Sequence, residues 1–213
     1  MPLSLRDLLE NRDTLEDKST ALVKSLLNAQ RFMFKKDLCV RNIHPASISV
    51  TEQHDQVVFN DMLRVLIQSE WDEFPSLMMA PYAGRHYKEN WWFLKKGHFG
   101  DRWSIGIIIL EILIGSRFLL CLDSFKEIKL AFNCIKDQLD EDTRALLKSY
   151  LFIGEETDVD LYVSKVLIDS PDLIGENIRK VSVTIKRDET LSNLKAEADN
   201  RWSTRRDSLC KSF

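Results

Sequence analysis

The stretch FGDRWSIGIIILEILIGS, residues 99–116, decides the fold because its centre is almost wholly apolar. Within residues 105–114 only Gly106 and Glu111 interrupt the aliphatic side chains. Asp101 stands near the start of the stretch, where it is predicted to cap a helix. A helix that is apolar on every face lies in the interior of a structure. Ten residues at helical rise span only about 15 Å, roughly half of a bilayer core, so the stretch predicts a buried central helix.

Composition and charge limit the class of protein. The chain has 213 residues, of which 44% are hydrophobic and 30% are charged, and its net charge is -3. This balance gives no electrostatic reason to expect a nucleic acid or a membrane surface as partner. The four cysteines are scattered without a C-x-x-C pair, and the first residues lack a signal-peptide core. These features predict a cytoplasmic or nuclear protein.

Further helices and one hairpin are predicted on either side of the central helix. Residues 21–34 carry apolar side chains at helical spacing, and a shorter helix is predicted at 4–11. The polar run between them, 12–20, is predicted as a turn. Short runs rich in β-branched residues at 48–50 and 57–59 predict a small hairpin. The remaining predicted helices lie at 125–135, 141–151 and 161–167.

The pattern Asp-x-Trp-Ser-x-Gly opens the central helix and resembles the corresponding helix in the large lobe of eukaryotic protein kinases. It is formed by Asp101, Trp103, Ser104 and Gly106. In that family the aspartate holds the backbone of the catalytic loop. The other predicted elements follow the order of the same lobe. The resemblance implies a mainly α fold, a kinase-like C-lobe helical bundle around a buried central helix with a small β-hairpin at the catalytic-loop region.

The resemblance also implies domain limits. The kinase-like C-lobe is expected to cover residues 1–172, and residues 173–213 are expected to form a charged, partly helical or disordered extension. No glycine-rich G-x-G-x-x-G loop and no V-A-I-K lysine occur in the 213 residues. The chain is therefore expected to begin at the family's hinge, without the small lobe that covers the nucleotide.

The segment VRNIHPAS, residues 40–47, aligns with the kinase catalytic loop H-R-D-L-x-x-x-N and keeps Arg41. Asn42 replaces the aspartate that accepts the proton of the substrate hydroxyl, and an amide is not a base near neutral pH. His44 replaces the lysine that contacts the transferring phosphate. Ser47 replaces the asparagine that binds a second Mg²⁺, and its oxygen is a shorter and poorer ligand. No catalytic residue is therefore expected.

Asp61 aligns with the metal-binding aspartate of the D-F-G motif, where the chain reads Asp61-Met62-Leu63. Leu63 replaces the glycine that lets this loop turn. Leucine, unlike glycine, does not readily adopt the positive φ of such a turn. Asp61 is a weak candidate for cofactor binding, and the alternative is that it is a turn residue. We expect no cofactor, metal or nucleotide.

Tyr82 aligns with the glutamate of the A-P-E motif, which in the family forms a buried ion pair with an arginine. No arginine occurs in residues 151–165, where that partner is expected. Loss of both partners of a buried pair can be close to neutral, whereas loss of one costs about 3–5 kcal/mol. The alternative is that the alignment is loose at this point.

The sequence therefore predicts a catalytically inactive, pseudokinase-like chain that acts as a protein-interaction or scaffold module. The alternatives are a serine/threonine kinase-class enzyme whose small lobe is missing here or supplied elsewhere, and a structural subunit of an assembly. An uncovered apolar face is predicted to bind a protein partner or a second copy of the chain. Its residues are Leu3, Leu5, Ile48, Val50, Val57, Met62 and Leu63.

Overall fold

The computed structural model describes residues 3–10, 12–53, 56–60, 66–67, 82, 97–114 and 125–153. Most of this part of the chain is helical. Its helices are α1 (Leu5–Glu10), α2 (Arg12–Lys35), α3 (Gly97–Ile114), α4 (Phe125–Ile135) and α5 (Glu141–Tyr150). Its strands are β1 (Leu3–Ser4), β2 (Leu38–Cys39), β3 (Ile48–Val50), β4 (Val57–Phe59) and β5 (Leu66–Ile67). Two short 3₁₀ turns lie between these elements, at Pro45–Ser47 before β3 and at Lys136–Gln138 between α4 and α5.

Helix α3 is the centre of the fold. Every side chain from 101 to 114 is buried, and the helix contacts α2, α4, α5 and β2. The prediction of a buried central helix is confirmed. The helix begins at Gly97, however, so Asp101 lies inside it rather than at its cap. None of the helices in the described ranges combines the length and the apolar character that a bilayer crossing requires.

The predicted hairpin is also present, and β1 extends it to three antiparallel strands in the order β1-β3-β4. Ser49 pairs with Ser4 on one side and with Val58 on the other. Since successive side chains of a strand point to opposite faces, these three residues share one face of the sheet. We call them the outer row; Ser4 and Ser49 are half-buried, and Val58 is 56% exposed.

The opposite face of this sheet corrects the prediction of an uncovered apolar surface. Leu5, Ile48 and Val50 are at most 1% exposed, and Val57 is 9% exposed. Ile48, Val50 and Val57 belong to this face, and Leu5 is the first residue of α1. All four are buried because α1 contacts β3 and α2 contacts β4. Leu3 is half-buried and packs against the same core. Met62 and Leu63 lie outside the described residues.

The turn predicted at 12–20 is wrong, because α2 is continuous from Arg12. Leu15 and Ser19 are buried and continue the helical stripe of Leu22 toward the N-terminus. The predicted helices at 4–11, 125–135 and 141–151 are confirmed to within one residue at each end. The helix predicted at 161–167 and the extension at 173–213 lie outside the described residues.

Candidate functional site

The loop of residues 40–47 is held on α3 by the carboxylate of Asp101. The backbone N–H of Val40 donates to Oδ2 of Asp101 at 2.7 Å, and the N–H of Arg41 donates to Oδ1 at 2.8 Å. Asp101 is 2% exposed. A carboxylate that accepts two backbone N–H groups forms charge-assisted bonds that are stronger than neutral ones. This is the contact that the resemblance implied for Asp101.

The anchored loop contains a strained residue at the point of attachment. Arg41 has a φ of 60°, in the left-handed region that a residue with a Cβ adopts at a cost of about 1–2 kcal/mol. The hydrogen bond from Arg41 to Asp101 offsets this cost. Burial raises the pKa of Asp101 to about 6, and the N–H donors of Val40 and Arg41 oppose that rise. The loop and the carboxylate therefore stabilise each other.

The loop also contains the three positions that the resemblance aligns with kinase catalytic residues, and they lie close together. Ser47 Oγ faces two carbonyl acceptors, Asn42 O at 2.7 Å and His44 O at 2.9 Å. It also accepts the backbone N–H of His44 at 3.2 Å. The hydroxyl proton and one lone pair of Ser47 are therefore used inside the loop. Ser47 closes the loop, whereas Asn42 and His44 are half-buried.

The end of the loop is joined to the hairpin. The backbone N–H of Asn60 donates to the carbonyl of Ser47 at 2.9 Å, and Asn60 Nδ2 donates to Ser49 Oγ at 2.8 Å. Asn60 therefore brings the chain immediately before Asp61 next to the loop. Asp61 itself lies outside the described residues, so its predicted role stays a prediction.

Trp103 and Gly106 position α3 against the helices that follow it. The indole of Trp103 is fully buried, stacks on Phe152 with ring centroids 6.5 Å apart, and meets Phe125 at 6.0 Å. At Gly106 a Cβ would come within 3.0 Å of both Leu151 Cδ2 and Tyr150 Cβ. Glycine therefore lets the end of α5 approach α3 closely.

Ser104, the remaining residue of the pattern, connects α3 to the segment before it. Its Oγ lies 2.8 Å from the carbonyl of Gly100 and 3.0 Å from the carbonyl of Tyr82, so both are acceptors for the same hydroxyl. Tyr82 is 7% exposed. The backbone of Tyr82 is thus held against the first turns of α3.

The side chain of Tyr82 completes a buried cluster that the sequence reasoning missed. Arg6 donates through Nη1 to Glu111 Oε1 at 2.9 Å and through Nη2 to Tyr82 Oη at 2.7 Å. Tyr82 Oη donates to Glu111 Oε2 at 2.8 Å. We call these three residues the triad. The signal for it was Glu111 itself, since a charge inside an apolar helix requires a partner.

Burial dominates the electrostatics of the triad. Glu111 is fully buried, and removal from water raises its pKa to about 7 against the opposing effect of Arg6 and Tyr82. Burial also raises the pKa of Tyr82, which therefore keeps its proton. No cluster of three or more His, Cys, Asp or Glu side chains suited to a metal ion occurs within the described ranges.

Comparisons with known proteins give a likeness of fold. No family model matches the chain, and no curated protein matches it. The structure is similar to the kinase domain of a rhoptry antigen specific to Toxoplasma gondii, with a TM-score of 0.51 and 13% sequence identity. The likeness covers 83% of this chain and 53% of that kinase domain, so the chain spans about half its length. At this identity the likeness shows a kinase-like fold alone.

Proposed function

We propose that this chain is a protein-binding module with a kinase-like fold and without phosphoryl-transfer activity. The observation that carries the proposal is the loop held by Asp101, in which Asn42 occupies the position of the catalytic base. Phosphoryl transfer requires a group that orients and deprotonates the substrate hydroxyl, and metal ligands that neutralise phosphate charge. Asn42 does not supply the base, and the hydrogen bonds of Ser47 within the loop disfavour its use as a metal ligand.

The retained features of the loop support an architectural role. A buried carboxylate at Asp101 and a left-handed Arg41 both cost folding free energy, and the hydrogen bond between them offsets part of that cost. The side chains that would perform chemistry at this loop are replaced, whereas the contacts that fix its backbone are kept. The loop therefore fits a structural framework for a binding surface better than a reaction centre.

The outer row of Ser4, Ser49 and Val58 is the surface on which we place the partner. The resemblance implied that the hairpin as a whole meets the small lobe and the nucleotide in an intact kinase. Val58 is one of three large apolar side chains that are more than half exposed among the described residues. We propose that a protein partner, or a second copy of the chain, covers this row. The buried residues of the opposite face are excluded from that role.

The experiment compares partner capture by surface variants of the full chain, with partners identified by mass spectrometry. Val58→Glu places a charge in the outer row, and the matched control Asn133→Glu places one at an exposed position of α4. We expect Val58→Glu to reduce capture at least tenfold, whereas Asn133→Glu and deletion of residues 189–213 leave it unchanged. Full capture by a folded Val58→Glu variant, together with loss on deletion of the tail, would contradict the proposal.

The second candidate is a kinase-class enzyme whose small lobe is supplied by a longer chain or by another protein. The observation that favours it is the coverage of about half of the rhoptry kinase domain. This candidate requires Asn42 to support transfer in the completed enzyme. The first candidate therefore predicts no phosphoryl transfer, whereas the second predicts transfer that is lost when Asn42 is replaced.

A further inference from the structure

The triad of Arg6, Glu111 and Tyr82 is a closed ring of hydrogen bonds between parts of the chain that are distant in sequence. Arg6 belongs to α1, Glu111 to α3, and Tyr82 to the segment that precedes α3. Each member bonds to both of the others at 2.7–2.9 Å. The ring therefore fastens α1 to the central helix with Tyr82 as the third member.

The three members of the ring differ in their access to water. The side chain of Arg6 is 24% exposed, whereas that of Glu111 is fully buried and Tyr82 is 7% exposed. Because its side chain is partly exposed, Arg6 has water as an alternative to its protein partners. Glu111 has no such alternative, because it lies among the apolar residues of α3. The ring can therefore open at Arg6 while Glu111 and Tyr82 remain in place.

We propose that the triad is a proton-operated latch in which ionised Glu111 holds Arg6 and protonated Glu111 releases it. Uptake of one proton by the carboxylate of Glu111 removes the negative charge that attracts the guanidinium. Arg6 then turns its charge to water, and the neutral carboxyl stays hydrogen-bonded to Tyr82. Release of the proton restores the ion pair. The latch thus couples the attachment of α1 to pH.

The groups around Glu111 are consistent with a single titrating site. Arg6 from α1 and Tyr82 act on its ionisation. His44 of the loop neighbours Tyr82, with the two ring centroids 6.4 Å apart. Helices α2, α4 and α5 and strand β2 also pack on α3, but no described ionisable group from them is among those that act on Glu111. Asp101 and Arg102 lie nine or ten residues away on α3 itself, about 14 Å along the axis.

The pH range over which the latch opens is set by the pKa of Glu111, which burial raises and the pairing with Arg6 and Tyr82 lowers. Burial raises the pKa of Glu111 to about 7, although Arg6 and Tyr82 both favour the ionised form. The latch would therefore be closed above about pH 8 and open below about pH 6.

The test is an NMR titration of the full chain between pH 5 and 9, with ¹³C in glutamate side chains and ¹⁵N in arginine side chains. We expect the Glu111 carboxyl to titrate near pH 7, and the Nε resonance of Arg6 to shift with the same midpoint. Glu52, which is exposed in the turn after β3, is recorded in the same spectra as a surface glutamate for comparison. A Glu111 midpoint below pH 5.5, or an Arg6 resonance that does not follow it, would overturn the proposal.

Two variants separate the latch from a fixed structural contact. Glu111→Gln keeps the shape of the side chain but binds no proton, so the Arg6 resonance should lose its shift near pH 7. Tyr82→Phe removes one donor to the ionised carboxylate, so the titration midpoint of Glu111 in this variant should lie above that in the wild type. Since Tyr82→Phe retains the ion pair, it serves as the informative variant if Glu111→Gln does not fold. An unchanged or lowered midpoint in Tyr82→Phe would contradict the proposed ring.

Discussion

Arg41, which has a φ of 60°, donates its backbone N–H to Oδ1 of Asp101 at 2.8 Å. The strained residue of the loop is thus bonded directly to a buried carboxylate of the central helix. Val40, its neighbour, donates to the other oxygen of the same group at 2.7 Å. The side chain of Asp101 thus joins two consecutive backbone N–H groups of the loop to α3.

Replacement of Asp101 by alanine should destabilise the chain strongly. The N–H groups of Val40 and Arg41 would lose their acceptor, and an unsatisfied buried donor costs about 1–3 kcal/mol. We expect a loss of about 2–5 kcal/mol in the free energy of unfolding, measured by urea denaturation. The matched control is Asp137→Asn at an exposed position, which should change the free energy by less than about 0.5 kcal/mol. Equal effects of the two substitutions would show that Asp101 does not anchor the loop.

Gly106→Ala should destabilise the packing of α5 on α3. The added Cβ would lie 3.0 Å from Leu151 Cδ2 and Tyr150 Cβ, and overpacking of this kind costs about 1–3 kcal/mol. Alanine favours a helix over glycine by about 1 kcal/mol, so the net loss should be about 0–2 kcal/mol. Gly100→Ala, at a half-buried position in the first turns of the same helix, provides the control for helix propensity. A Gly106→Ala variant as stable as Gly100→Ala would contradict the close approach.

The free energy of unfolding should fall as pH rises from about 5 to 8. Burial raises the pKa of Glu111 from 4.5 to about 7 and that of Asp101 from 3.8 to about 6. The folded state therefore binds protons that the unfolded state has already released, and stability present at low pH is lost as pH rises through these values. For Glu111, the rise in pKa from 4.5 to about 7 corresponds to a loss of about 3 kcal/mol in the free energy of unfolding as the group ionises.

The variant Glu111→Gln isolates this contribution to stability. Because glutamine does not titrate, the decrease in unfolding free energy between pH 5 and 8 should be smaller by about 3 kcal/mol than in the wild type. The matched control is Glu52→Gln, in an exposed turn. Identical pH profiles for wild type and Glu111→Gln would show that Glu111 is ionised throughout the range.

MgATP should not stabilise the chain. A ligand present at one hundred times its Kd adds about 2.7 kcal/mol to the free energy of unfolding, which produces a visible increase in Tm. We expect no increase at millimolar MgATP, since Asp61 alone remains of the metal ligands that the resemblance implies. The control is Asp61→Ala under the same conditions. A clear rise in Tm for the wild type that disappears in Asp61→Ala would establish Asp61 as a nucleotide-linked metal ligand.

The sequence was sufficient to predict the elements whose pattern is set by local rules. The apolar run of 105–114 predicts a buried helix because no amphipathic face exists to contact water. The hairpin follows from two short β-branched runs and the turn between them. The start of α2 was misjudged since Leu15 stands alone among polar residues, and its burial depends on partners distant in the chain.

The candidate site was predictable only in part, for a similar reason. The contact of Asp101 with the loop follows from the resemblance, because the family pattern fixes both ends of that contact. The burial of Val50 and Ile48 depends on α1 and α2, whose positions over the sheet are not encoded in the hairpin itself. The triad joins Arg6, Tyr82 and Glu111 across as many as 105 positions, and a pairing at that distance has no local signal.

The phosphoryl-transfer assay tests the central claim most directly. The full chain is incubated with γ-labelled ATP, Mg²⁺ or Mn²⁺ and generic protein substrates, beside the variant Asn42→Ala. We predict that the wild type and Asn42→Ala transfer no label above a heat-inactivated sample, because neither side chain supplies a base. Transfer by the wild type that is lost in Asn42→Ala would contradict the account and identify the chain as an enzyme.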